Sequence, residues 1–160
     1  MKIRYFFILL FVPCQLWASA EWTIYIDMTV VQPQCVVNNN KVITVAFDEV
    51  QVEKIDGQAY KKQPVPLDIT CPGKSTADVN LQISGQTANF NVGDQLLQTT
   101  NPDLGIKMLA NNRGLPINTW LPFTWPNQVP ELAAVLVRNE GVKLPGGTFS
   151  AGATINLSYN

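Results

Sequence analysis

Few side chains in this 160-residue chain are of a type that does covalent or acid–base chemistry, and their spacing does not suit it. There is no histidine, which removes Ser-His and Cys-His pairs, the commonest general base and the commonest zinc ligand. Asp48-Glu49 and Glu53 offer carboxylates for acid–base work, but they fall in a charged connecting stretch that reads as solvated surface. Gly146-Gly147 reads as a turn, and no nucleophile–base spacing, glycine-rich phosphate loop or metal cluster occurs. Asn156-Leu157-Ser158 matches a glycosylation triplet, yet it lies inside an alternating strand pattern where the match reads as coincidence. Lys61-Lys62 is too short a basic run for nucleic acid, and 11 basic against 12 acidic residues give no basic excess. The one constellation suited to binding is Trp120, Phe123 and Trp125 in a proline-rich stretch, either an aromatic sugar platform or packing against the core. The residue types predict no catalysis, no cofactor and no metal.

The start of the chain reads as an export signal. Lys2 and Arg4 precede an apolar run from Tyr5 to Val12, and Ala18-Ser19-Ala20 is a small-x-small cleavage site. The run is shorter than the roughly 20 residues needed to span a bilayer, so stable membrane insertion is not expected. Removing residues 1–20 takes away Lys2, Arg4 and Cys14 and leaves 9 basic against 12 acidic residues. Cys35 and Cys71 then form an even pair in an exported chain, which predicts a disulfide.

The elements that must carry these residues follow a period of two, not 3.6. Trp22, Ile24, Ile26, Met28 and Val30 alternate with polar partners in one amphipathic strand that ends at Pro33. Asn38-Asn39-Asn40 is a turn, and 41–47 a strand. Val65, Leu67, Ile69 and Cys71 mark the next strand, and Val79, Leu81 and Ile83 another that stops at Ser84-Gly85. Leu104 to Ala110 is a strand bounded by Asn101-Pro102 and Asn111-Asn112. Residues 115–130 hold four prolines and predict irregular or edge structure, because proline cannot donate to a central ladder. Leu132 to Arg138 reads as a buried strand, the alternative being one short helix. Last, Phe149, Ala151, Ala153, Ile155, Leu157 and Tyr159 alternate with polar residues to the end of the sequence, in a strand that predicts a partner. Short strands with turn signals between them argue for a β-sandwich.

Four features together resemble the pilin subunits of the chaperone–usher pathway, in the type 1 and P pilus group. They are the alternating extension ending in Pro33-Gln34-Cys35, Cys71 closing the run Leu67-Asp68-Ile69-Thr70-Cys71-Pro72, Gly147 fourteenth from the C-terminus, and the penultimate Tyr159. The resemblance implies an all-β fold: an incomplete immunoglobulin-like sandwich with one disulfide, lacking its final strand and completed by a donor strand from another chain. It implies a signal peptide over 1–20, a donor-strand extension over 21–34 and a pilin domain over 35–160. In such proteins a periplasmic chaperone covers the open groove, and at an outer-membrane usher the extension of a neighbouring pilin subunit replaces it on the way to the cell-surface pilus. Trp22, Ile24, Ile26, Met28 and Val30 would be the donor plug, and Gly147 with the strand from Phe149 to Tyr159 would meet the chaperone and edge the groove. One departure stands out: Met28 occupies the fourth inward position, where the family's extension usually has glycine, which points to a minor subunit with a dedicated neighbour. The competing reading is a secreted, self-contained β-sandwich that binds carbohydrate through Trp120 and Trp125.

Overall fold

The computed structural model describes residues 34–159 and Met28. The signal and Trp22, Ile24, Ile26 and Val30 of the extension lie outside the described residues, and the side chain of Met28 is exposed. Ten strands follow in chain order, with no α-helix among the described residues. They are β1 (Val36–Val37), β2 (Gln63–Val65), β3 (Ile69–Thr70), β4 (Ala77–Gly85), β5 (Leu97–Gln98), β6 (Leu104–Ala110), β7 (Arg113–Leu115), β8 (Trp120–Trp125), β9 (Leu132–Arg138) and β10 (Ala153–Tyr159).

Every pairing is antiparallel. One sheet has the order β10-β4-β8, a second β2-β9-β6-β5 with β7 also on β6, and β1 pairs with β3 in a small third sheet. Register puts the apolar sets in rows. Tyr159, Val79 and Phe123 share one row across β10, β4 and β8, and Leu157, Leu81 and Leu121 the next. Opposite them, Ile106 pairs with Leu136 and Met108 with Ala134 in the second sheet. The two inner faces form one hydrophobic core, the arrangement of a β-sandwich.

Local chemistry explains the connections. Asn38, Asn39 and Asn40 all take positive φ, a conformation that asparagine tolerates better than most residues. Asn111 and Asn112 do the same in the two-residue loop that joins β6 to β7, the requirement of a type I′ hairpin. Gly105 faces outward on β6, and a Cβ there would lie 3.1 Å from the Cβ of Leu96. Its bareness lets Leu96 and Phe90 cover the outer face of that sheet. Cys35 and Cys71 are disulfide-bonded and stand opposite one another, one step beyond the Val36–Thr70 pair.

The structure departs from the sequence reading in three places. Residues 65–71 are not one strand: Val65 ends β2 in the large sheet, whereas Ile69 and Thr70 pair with β1. Pro66 interrupts the ladder, and Asn38 fixes the bend by accepting from the Asp68 amide on Oδ1, at 2.6 Å, while its own amide donates to the Asp68 carbonyl. Residues 41–47 join no ladder, and the final strand begins at Ala153, not Phe149. The proline-rich stretch does supply an edge strand, β8, with Pro122 within it.

Candidate functional site: a groove between two unpaired lips

The two segments that fail to form the expected strands lie on either side of one groove. It has a volume of about 1660 Å³ and is lined by 40–52 on one side and 144–151 with the start of β10 on the other. Its floor is the core itself, with Ile83, Leu97, Leu104, Ile106, Met108 and Ala134 all reaching it.

The first lip is strand-like in all but its bonds. Ile43 and Val45 are half-buried and Phe47 buried, while Lys41, Val42, Thr44 and Ala46 are exposed. That is the alternation of a half-buried strand, yet no described strand lies beside it to supply a ladder. Val42 alone is 93% exposed, which marks the outward face.

The second lip carries the predicted site residues. Phe149 is half-buried and packs against the core, but Ala151 and Ala153 are exposed. Ala153 lies opposite Gly85, on the side where Leu97 closes over that glycine, so its methyl faces the groove. Ile155, Leu157 and Tyr159 occupy core positions, and none is fully buried. The contrast with β4 decides the matter, because Val79, Leu81 and Ile83, their register partners, are 1%, 0% and 2% exposed. Since among the described residues β10 bonds only to β4, its second edge has no described strand beside its partly uncovered apolar row. Such an edge invites pairing with another chain.

The lips run in opposite directions. Phe47 meets Phe149 at one end, with ring centroids 6.3 Å apart. At the other end Val37 pairs with Ile69, whose carbonyl accepts from the indole N–H of Trp125 at 2.8 Å, and Trp125 neighbours the Tyr159 end of the sheet through Ala77. The first lip from Val37 to Phe47 spans about 35 Å when extended, room for one strand.

Two titratable groups flank this groove. Tyr159 closes the strand with its phenol oxygen buried and, among the described residues, without a hydrogen-bond partner, and that burial raises its pKa above the ordinary 10.0. The Lys74 ammonium lies 5.2 Å from its ring centroid, within cation–π range. Asp56 accepts the backbone N–H groups of Gln58, Ala59 and Tyr60 on one oxygen, with the Gln58 and then the Tyr60 and Ala59 bonds holding its carboxyl below the usual value. That turn sets Tyr60, whose hydroxyl accepts from the amide of Gln51 on the first lip.

Gly147, at the head of the second lip, has φ +143°, a conformation that glycine alone adopts freely. The aromatic platform does not assemble. Phe123 and Trp125 point inward, whereas Trp120 points outward and is 45% exposed. Asn118, which the sequence did not single out, clamps the end of β4: its side chain accepts from the Gly85 amide and donates to the Gly85 carbonyl, both at 3.1 Å.

The family model described as "Fimbrial protein" matches residues 24–160. The chain belongs to the fimbrial protein family. Similar curated proteins are the fimbrial-like proteins YfcR and YfcQ of Escherichia coli strain K12. YfcR is 30% identical over 131 residues, covering 79% of this chain and 74% of YfcR, and YfcQ is 29% identical over 132 residues, covering 79% and 80%. Among solved structures, the fold is similar to the P pilus adaptor subunit PapF, with a TM-score of 0.59 and 24% identity over 81% of this chain and 98% of that one. It is also similar to the P pilus rod subunit PapA, with a TM-score of 0.58 and 19% identity over 86% and 100%. This fimbrial protein thus has the pilin immunoglobulin-like fold with one disulfide. It is a structural subunit of a pilus and not an enzyme.

Proposed function

We propose that this fimbrial subunit is assembled by donor-strand exchange. Residues 1–20 direct export. In the periplasm a pilus chaperone lends a strand to the groove, pairing with β10 and covering Ala151, Ala153, Ile155, Leu157 and Tyr159. At the outer-membrane usher the extension of a neighbouring subunit replaces that strand, and residues 21–34 of this chain plug the groove of the next through Trp22, Ile24, Ile26, Met28 and Val30. Five apolar side chains at about 1.5–3 kcal/mol each would contribute about 10 kcal/mol before ordering costs, enough for a durable joint. Met28 needs a deeper acceptor pocket than glycine does, though its flexible side chain adapts well. That requirement suits a minor or adaptor subunit with a dedicated neighbour in the surface pilus.

The observation that carries this reading is the partly uncovered core row of β10, beside an edge that no described strand pairs, while the register partners on β4 are buried. The test is periplasmic co-expression with a pilus chaperone and recovery of the complex for wild type and Ala153→Asp. Ala153 is exposed in the free chain, so the carboxylate costs the chain little alone, yet under an added strand it becomes a buried unpaired charge. A stable one-to-one complex is expected, with at least tenfold lower recovery of the variant. A free chain as stable and soluble as its chaperone complex, or equal recovery of Ala153→Asp, overturns the proposal.

A further inference from the structure

The sheet β10-β4-β8 has a second face, turned away from the core and from the groove. Register places Asn156, Gln82 and Trp120 in one row across the three strands, and Ser158, Asn80 and Pro122 in the next. Of the outward residues of these strands, Asp78 alone is ionisable, and its carboxylate accepts from the Thr124 hydroxyl at 3.0 Å. Fully 45% of Trp120 is exposed, at the start of edge strand β8 and beside these polar rows.

The amides beside Trp120 are held in place. Gln82 Nε2 donates to the Asn118 carbonyl at 3.0 Å. Asn156 Nδ2 donates to Gln82 Oε1 at 3.2 Å and to Ser84 Oγ at 3.0 Å. These bonds fix both side chains and leave Asn156 Oδ1 as an outward acceptor. Among the described residues, the Trp120 indole N–H and the hydroxyls of Thr154 and Ser158 have no hydrogen-bond partner.

We infer that this face is a binding site for an uncharged oligosaccharide. A pyranose ring has an apolar C–H face that stacks on an indole, and its hydroxyls both donate and accept, as amides and serine or threonine hydroxyls do. Trp120 with Pro122 supplies the stacking surface, and Asn156, Ser158 and Gln82 supply polar groups alongside it. Because the amides are already ordered, little side-chain entropy is lost when a sugar docks. Charge sets the class of glycan. With no cation on the face and a carboxylate at its edge, a sialylated or sulfated sugar meets repulsion and no counter-charge. The site lies on the opposite side of the sheet from the groove and does not depend on donor-strand exchange.

The test is binding of the purified full chain to a panel of uncharged hexose and N-acetylhexosamine tetrasaccharides, with sialylated counterparts as charged controls. Binding of at least one uncharged tetrasaccharide is expected, with tryptophan fluorescence changing on titration. Trp120→Ala should weaken it at least tenfold, Trp120→Phe less, and Gln82→Ala severalfold. Circular dichroism checks that each variant keeps the wild-type fold. Absence of binding by folded wild-type chain overturns the inference, as does binding indifferent to Trp120→Ala or stronger for sialylated sugars. If Trp120→Ala impairs pilus assembly and no sugar binds, the face packs against another subunit and the inference likewise fails.

Discussion

Phe47 and Phe149 meet ring to ring at one end of the groove, 6.3 Å between centroids and tilted by 42°, each from a stretch that lies outside the described strands. Side-chain packing, not backbone hydrogen bonding, therefore joins the two lips at that end. At the opposite end the Cys35–Cys71 bond anchors the start of the first lip. Between these two fastenings runs the groove that both lips line. Under the proposed donor-strand exchange, a strand from another chain covers the partly uncovered row of β10 and the backbone edges beside it.

The disulfide is the first place to test that economy. It closes a loop of 36 residues, for which chain entropy predicts about 3–4 kcal/mol. An incomplete sandwich has little stability beyond that, so Cys35→Ser is expected to leave almost no folded chain. Denaturation with and without reductant checks this, and a fold unchanged by reduction contradicts it.

Adjacent glycines should respond oppositely. Gly147 at φ +143° has no room in conformational space for a side chain, although nothing lies within 4 Å of its added Cβ. Gly147→Ala should cost about 1–3 kcal/mol through backbone strain alone. Gly146 is equally open without the unusual φ, so Gly146→Ala should be neutral or add about 0.4–1 kcal/mol. Urea denaturation of both variants in parallel reads the difference.

Tyr159 offers a pH signature. Its phenol oxygen is buried with no hydrogen-bond partner among the described residues, so Tyr159→Phe should be neutral or stabilise by about 1 kcal/mol, since an unmet polar group is removed. Burial raises the folded pKa above the unfolded 10.0. The neutral phenol is the form the fold favours, so its contribution is complete below pH 10.0 and is lost as pH rises through the folded value. Wild type should lose stability over that alkaline interval, and Tyr159→Phe should lose less. Tyrosinate absorbance with denaturation at each pH measures both.

Much of the sheet was legible from alternation, and what escaped did so for physical reasons. Val79, Leu81 and Ile83 and the run from Leu104 to Ala110 stand where period two puts them, because both pack against a complete neighbour. Residues 41–47 carry an equally good pattern and form no ladder, because a side-chain pattern specifies a face but cannot supply the strand beside it. Val65 to Cys71 looked continuous, since apolar alternation does not register a change of sheet, whereas Pro66 and the Asn38–Asp68 bonds impose one. The proline-rich aromatics looked like one cluster; strand β8 sends Trp120 and Trp125 to opposite faces, a consequence of their odd spacing. Asn118 gave no signal at all, its clamp on Gly85 being a contact across 33 residues. The strand from Phe149 was legible from its alternation, Gly147 was singled out through family likeness, and the exposure of Ala151 and Ala153 became visible only with the groove.

The most direct measurement is amide hydrogen exchange on the chain, free and bound to a pilus chaperone. If a strand from another molecule completes the sandwich, the alternate β10 amides that do not bond to β4 should exchange rapidly when free and become protected in the complex, together with amides of 41–47. Equal protection of those amides in both states contradicts the account, because the edge would then already be paired within the chain.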